Sequence, residues 1–359
     1  MQPASNPSEE SQRNRGFLFA RARRGQAEDG LKFQQRWLQD RVRNISLLTV
    51  LLAFVLAAGC HRHSAPLRVG ANVWPGYEPL FLAKSLGFYG DEPIQLLSFL
   101  SSTEVLRAYR NRAIDVAAVT ADEALLLAES MPDQRIILVC DVSHGADVIL
   151  AKPGFSTFTD LRGRRIGVES GALGAYVLAR ALEVNRMDAT EVTVETVPLN
   201  EHEEAFRSGR VDALVTFEPV RSRLIAEGGH QVFNSSQIPG EIVDVLITRA
   251  ELVEEEAHLL HALVRGWFRA LSRMKSHPEE CARAMAIREQ TTPEAFLASL
   301  QLLRLPDRAS NRELLEGSQT NLLGALQRLA RSMAQHRLIS KPPDTSNLLE
   351  SRFIPPADL

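Results

Sequence analysis

Strand-length apolar runs alternate with helix-length segments from Leu67 onward, and that alternation restricts the fold more than any other feature of the sequence. LRVGA (67–71), IQLLSFL (94–100) and IDVAAVT (114–120) read as strands, while EPLFLAKSLGF (78–88), TEVLRAYRNR (103–112) and ADEALLLAES (121–130) read as helices. RIILVCDV (135–142) and ADVILAK (146–152) are two further strands. Ser102 or Thr103 is expected to cap the second helix, because a hydroxyl there accepts from the free N–H groups of the first turn. A second set comes next, with strands at 164–170, 191–197, 211–217 and 242–249 and helices at 174–185, 201–209 and 220–228. Such alternation implies mainly parallel sheets flanked by helices. Beyond Ala250 the pattern is almost wholly helical, with apolar residues three and four apart at 258–274, 293–303 and 312–337.

One internal echo bears on the number of sheets. RNRAIDVAAVTADEA (110–124) and RSGRVDALVTFEPV (207–220) share a helix end, a strand opening with a β-branched residue and Asp, then Thr and an acidic residue. Two copies of one α/β unit point to two similar lobes, for which 359 residues suffice. Asp115 and Asp212 open their strands and are expected to serve turns.

The N-terminal region has a different character. Residues 1–44 are polar and basic, and residues 1–59 carry nine Lys/Arg against five Asp/Glu. From Cys60 onward the balance reverses, to 32 Lys/Arg against 39 Asp/Glu. The uncharged run ISLLTVLLAFVLAA (45–58) would form a helix of about 21 Å, short of the ~30 Å needed to span a bilayer. With Arg41 and Arg43 before it, residues 45–59 read as the apolar part of an export signal. The run ends in LAAGC, which resembles the lipobox of bacterial lipoproteins and implies lipidation at Cys60. Residue 61 is His rather than Asp, which by that resemblance carries no inner-membrane retention signal. Residues 60–66 form a short polar linker. Cys140 and Cys281 read as buried apolar thiols, since three cysteines cannot build a disulfide framework or a Cys-x-x-Cys zinc site.

The body resembles the solute-binding proteins of nitrate/sulfonate/taurine-type ABC transporters. The resemblance is carried by LRVGANVWPGYEPLFLAKSLGFYG (67–90), SSTEVLRAYRNRAIDVAAVTADEAL (101–125), SHGADVILAKPGFSTFTDLRGRRIGVESGALGAYVLARAL (143–182) and SGRVDALVTFEPV (208–220). It implies a two-lobe, type II periplasmic-binding-protein-like α/β fold. Residues 67–148 and 245–359 would form lobe one and residues 149–244 lobe two, joined by two crossing strands. It also implies an extracytoplasmic protein, anchored through Cys60, that hands a small solute to ABC permease and ATPase subunits. A ligand-sensing protein that reports to a membrane signalling partner is the alternative on the same fold. Thiamine-pyrimidine synthases resemble this family too, but their cysteine-rich motif is missing here.

Ligands of open α/β sheets bind beyond the carboxyl ends of strands, where helix N-termini present free N–H groups. The junctions so placed contain Trp74 and Tyr77; Ser101, Ser102 and Thr103; Asp122; and Glu169, Ser170 and Gly171. Segments near the crossing strands add His144, Asp147, Glu218 and Asp244. These residues are the candidate ligand-binding set. Carboxylates gather in it and no Lys or Arg falls in the junctions, so a ligand bearing an amine or several N–H or O–H donors fits better than a bare anion.

Other functions lack their residues. No G-x-S-x-G elbow, H-E-x-x-H helix or phosphate loop is present, so neither an enzyme nor a cofactor is expected. His202, His230, His258 and His261 read as surface residues without a metal-ligand context, so no metal is expected. The small net charge of −3 gives no reason to expect a nucleic-acid partner.

Overall fold

The computed structural model describes Arg41 and residues 65–356, except 170, 172 and 317–321. The apolar run 45–58, Cys60 and Ser170 lie outside the described residues. The chain divides into Met1–Ser64 and Ala65–Leu359, and the strands described belong to the second unit. Among the described residues no helix is long and apolar enough to cross a membrane.

Eleven described strands form two sheets. The first contains β1 (Leu67–Asn72), β2 (Ile94–Phe99), β3 (Val116–Thr120), β4 (Gln134–Ser143), β10 (Val243–Arg249) and β11 (Leu303–Arg304) in the order β11-β4-β10-β3-β1-β2. The second contains β5 (Asp147–Ala151), β6 (Arg165–Val168), β7 (Thr193–Thr196), β8 (Ala213–Phe217) and β9 (His230–Asn234) in the order β7-β6-β8-β5-β9. Both sheets are mixed rather than mainly parallel. β1 runs parallel to β2 and β3, and β6 runs parallel to β7 and β8. The strands adjoining the crossovers, β4, β5 and β10, pair antiparallel with their neighbours. The physical reason is the connection. A βαβ unit returns its strand in parallel, whereas β5 and β10 enter their sheets from the other sheet.

The chain leaves the first sheet between Ser143 and Asp147 and returns between Asn234 and Val243. Ser235, fully buried, pins the two passages together. Its hydroxyl lies 2.8 Å from that of Ser143 and accepts from the Gly145 N–H at 2.6 Å. Nothing in the sequence singles out this serine.

Helices cover the sheets: α1 (Glu78–Ser85), α2 (Ser102–Arg110) and α3 (Ala121–Ala128) in the first set, then α4 (Leu173–Val184), α5 (His202–Ser208) and α6 (Val220–Ala226) in the second. The helical region then provides α7 (Ala250–Glu255), α8 (Ala257–Ser276), α9 (Pro278–Arg288), α10 (Pro293–Leu300), α11 (Arg308–Leu315) and α12 (Leu322–Gln335). On α8, Leu259, Leu260, Leu263, Val264 and Trp267 are buried at the spacing of one helical stripe. Asn311 on α11 closes a gap at the sheet edge. Its amide accepts from the Val139 N–H at 2.8 Å and donates to the Val139 carbonyl at 3.0 Å, standing in for a strand beside the short β11.

β5 shows why its sequence is continuously apolar after Asp147. Ile149 and Ala151 join the main core, while Val148 and Leu150 point into a second cluster with Val197, Phe206, Leu214 and Leu224. Alternate side chains face opposite sides of a strand, so a strand covered on both faces needs no polar position.

The internal echo has a structural counterpart. Arg68 at the head of β1 forks onto Asp115, with Nε–Oδ2 and Nη2–Oδ1 both 2.8 Å, and donates to the Arg112 carbonyl. Arg165 at the head of β6 forks onto Asp212 at 3.1 and 3.0 Å and donates to the Gly209 carbonyl. Both pairs are 47 residues apart in the chain. The two aspartates therefore lock neighbouring parallel strands through ion pairs rather than serving turns.

Candidate functional site

The floor of the site comes from the loop after β1. Trp74 Nε1 donates to Asp141 Oδ2 at 3.0 Å, and the Tyr77 hydroxyl donates to Asp244 Oδ1. Asp141 and Asp244 are register partners on β4 and β10. Trp74, Tyr77 and both aspartates are buried. Gly76 is required by proximity, since a Cβ there would fall on the Asp141 carboxylate. Asp141 sits inside the apolar run RIILVCDV, where strand periodicity gives it no prominence. A carboxylate in an otherwise apolar central strand is the signal that marks it.

The opposite wall comes from the second sheet. Phe217, at the end of β8, meets the Trp74 ring edge-on, with centroids 5.7 Å apart and planes at 85°. Asp147 opens β5 and is buried. At this seam two hydrogen-bonded links join the halves. Glu169, after β6, accepts from the Thr103 hydroxyl at 2.7 Å and the Thr103 N–H at 3.2 Å. Glu123, in the first turn of α3, accepts from the Thr120 N–H at 3.0 Å and from the Leu173 N–H of α4 at 3.3 Å.

Two small adjoining cavities lie between these walls, with volumes of about 20 and 10 Å³. Each offers about the space of one water. Ser102, Asp147, Leu173 and Phe217 line both; Trp74, Tyr77, Thr120 and Asp244 line the first, and Glu169, His202 and Thr216 the second. Of the expected ligand-binding set, Trp74, Tyr77, Ser102, Asp147, Glu169 and Asp244 are brought together here. Thr103 sits alongside through Glu169. Ser101, not Ser102 or Thr103, caps α2, its hydroxyl accepting from the Glu104 N–H at 3.3 Å, because Ser101 holds the extended backbone that precedes the helix. Glu218 is buried but turned to α6, accepting from Arg221 and the Ser222 hydroxyl at 2.9 Å each. His144 is exposed, and Gly171 is exposed with a left-handed φ of 75°. Asp122 is buried without lining either cavity.

His202 departs from its surface expectation. It is buried, with Nδ1 3.1 Å from the Thr216 hydroxyl and Nε2 3.2 Å from the Val197 carbonyl. Burial pushes its pKa down to about 4, so the ring is neutral at physiological pH. The carboxyls shift the other way, principally through burial: Asp122 is pushed up to about 6, Asp141 and Asp147 to about 7, and Asp244 well above the ordinary range. Glu123 rises to about 8, from burial and then from the adjacent Asp122. No group of His, Cys, Asp and Glu suited to a metal ion occurs among the described residues.

The protein of Escherichia coli (strain K12) named "Putative aliphatic sulfonates-binding protein" is 22% identical over 255 residues, covering 68% of this chain and 79% of its own. The crystal structure of the periplasmic aliphatic sulphonate binding protein from Escherichia coli superposes with a TM-score of 0.66 at 18% identity, over 81% of this chain and 99% of that one. The ligand-binding component of an ABC-type import system from Staphylococcus aureus gives 0.67 at 15% identity, over 81% and 98%. The fold is thus that of the periplasmic binding proteins, an α/β arrangement of mixed sheets flanked by helices. The NMT1-like family matches residues 61–288, and this chain belongs to that family.

Proposed function

We propose that this protein is the extracytoplasmic solute-binding component of an ABC import system, and that it holds a small polar solute between its two α/β halves. One observation carries this reading: polar and aromatic side chains from both sheets converge on one buried seam at the carboxyl ends of β1, β3, β6 and β8. Trp74, Tyr77, Ser102, Asp147, Phe217 and Asp244 are the contacts proposed. The aliphatic sulfonate binding for which the E. coli relatives are named supports solute capture. Permease and ATPase subunits are the partners proposed.

With cavities the size of single waters, a solute can enter only if the halves part. The unliganded protein is therefore expected to have a larger radius of gyration than this structure, and saturating solute should restore the compact value. Small-angle scattering reads the change, alongside mass spectrometry of molecules released on denaturation. An identical profile with and without the released molecule would refute capture by closure. Bound only to the folded state, that molecule at 100 times its Kd should add about 2.7 kcal/mol of stability.

Anchoring is proposed through a lipid on Cys60, supported by the LAAGC ending of the apolar run. Expressed in a bacterium, the protein should take up labelled fatty acid and sediment with membranes. Label retained by Cys60→Ala would exclude that attachment.

A further inference from the structure

We infer that the solute is an organic cation, an ammonium or a protonated nitrogen heterocycle, received by Asp147 and Asp244 against the rings of Trp74, Tyr77 and Phe217. The inference rests on the solute-capture reading and names the class of ligand for that seam.

Three observations carry it. First, two of the helix N-termini at the seam, those of α2 and α4, are already taken by the protein's own carboxyl groups. Glu169, from the second half, accepts at the start of α2 in the first, and Glu123, from the first half, accepts at the start of α4 in the second. An incoming sulfonate or nitrate would have to displace a tethered carboxylate at each. Second, acceptors remain unsatisfied. Asp147 and Asp244 line the seam, and the buried Oδ2 of each has no hydrogen-bond partner, although Asp244 stands close enough to Asp141 for the two carboxyls to share a proton; Asp122 Oδ1 is equally unpartnered nearby in α3. Buried acceptors in native proteins are nearly always paired, so two on one cavity mark the place of a donor. Third, no Lys or Arg lines either cavity, and His202 is neutral. Arg221 is committed to Glu218, and Arg288, which donates to the Asn72 carbonyl, to Glu78. Aromatic faces beside carboxylates are the surroundings a cation favours.

The groups around Asp147 give the binding a sign. Burial disfavours its charge most, a hydrogen bond with Ser143 favours it, and Asp141, Asp122 and Glu218 repel it. Around Asp244 stand Asp141 and Asp147, with the Tyr77 hydroxyl donating. With Asp147 near 7, a cation that needs its carboxylate should bind about tenfold more tightly at pH 8 than at pH 6. An anion held by protonated carboxyls would show the opposite slope.

Calorimetry on the full-length protein, stripped of bound solute, decides the matter. One panel holds benzylammonium, tetramethylammonium and aminopyrimidines; the other holds methanesulfonate, ethanesulfonate and nitrate. Expected are micromolar binding from the first panel, affinity rising with pH, and losses of tenfold or more in Asp147→Asn and Asp244→Asn. Phe217→Leu, which keeps the apolar volume but removes the ring, should weaken the cation several-fold and guards against misfolding of the aspartate variants. Binding confined to the second panel, or affinity that falls with pH, overturns the cation while leaving solute capture intact. Silence from both panels, with no small molecule released on denaturation, overturns both.

Discussion

In the closed form described here and without solute, the protein should melt roughly 10 °C lower at pH 8 than at pH 5, an unusual direction for a carboxylate-rich chain. The cause is the buried acid cluster. Asp141 and Asp147 are pushed up to about 7 and Glu123 to about 8, while in the unfolded chain they ionise near 4. The folded state therefore holds protons that the unfolded state has released. Each pH unit spent in that window costs about 1.4 kcal/mol per carboxyl. The penalty is absent below about pH 4 and is complete only above the folded values, near pH 7 to 8. For Asp147 alone it is of the order of 4 kcal/mol.

His202 opposes this trend. Neutral in the fold until about pH 4, it costs about 2 kcal/mol at pH 5 and nothing at pH 8. Several carboxyls outweigh one imidazole, and because neighbouring carboxyls share protons the net loss is set at about 5 kcal/mol. Thermal melts across pH 5 to 8 read it directly. Asp147→Asn should melt higher than the parent at pH 8 and flatten the profile. A melting temperature that is flat or rises across this range would show that the acids are not held protonated. A bound cation would draw those protons off and restore stability where it is weakest, which ties solute occupancy to the folded state.

The elements with strong patterns are legible in the sequence. β1 to β6, β8 and β10 announce themselves by their apolar residues, β7 (TVET) by its β-branched ones, and α8 by a stripe of three- and four-residue spacing. β9 is not, because HQVFN is an edge strand with a single fully covered side chain, Phe233, and half-buried positions carry little signal. Within the seam, Trp74, Tyr77, Asp147 and Asp244 stand out because they lie at or just beyond the ends of strands. Phe217 reads as ordinary strand apolarity, and Glu123 as a helix-start acid that only caps its own turn. Its second bond, to Leu173, depends on how the halves meet. His202 escapes local pattern for the same reason. Its polarity suggests a surface, whereas Thr216, 14 residues away, and the Val197 carbonyl satisfy it inside. Local pattern determines which residues end a strand; the groups that face them are a property of the assembled halves.

The echoed Arg–Asp forks offer a test of how burial sets the worth of one motif used twice. Asp212→Ala should cost about 1 kcal/mol or less, because the Arg165 and Asp212 side chains are 44% and 23% exposed and water takes over the freed guanidinium. Asp115→Ala should cost about 3 to 5 kcal/mol. Asp115 serves two arginines, Arg68 on the half-open side and Arg249 on the buried side, whose side chain is only 8% exposed. Arg249 Nη2 donates to Asp115 Oδ1 at 2.9 Å and Nη1 to the Ile114 carbonyl at 3.1 Å. Removing the carboxylate strands that guanidinium among β3, β10 and the Tyr109 ring, with Glu251 at 3.0 Å as its remaining acid. Asp115→Ala combined with Arg249→Met should recover much of the loss, since a buried charge without a partner costs more than the pair contributes. Denaturant melts of the three variants decide it. Equal costs for Asp115→Ala and Asp212→Ala, or no recovery in the double variant, would mean that strand geometry rather than the buried charge sets the value of the fork.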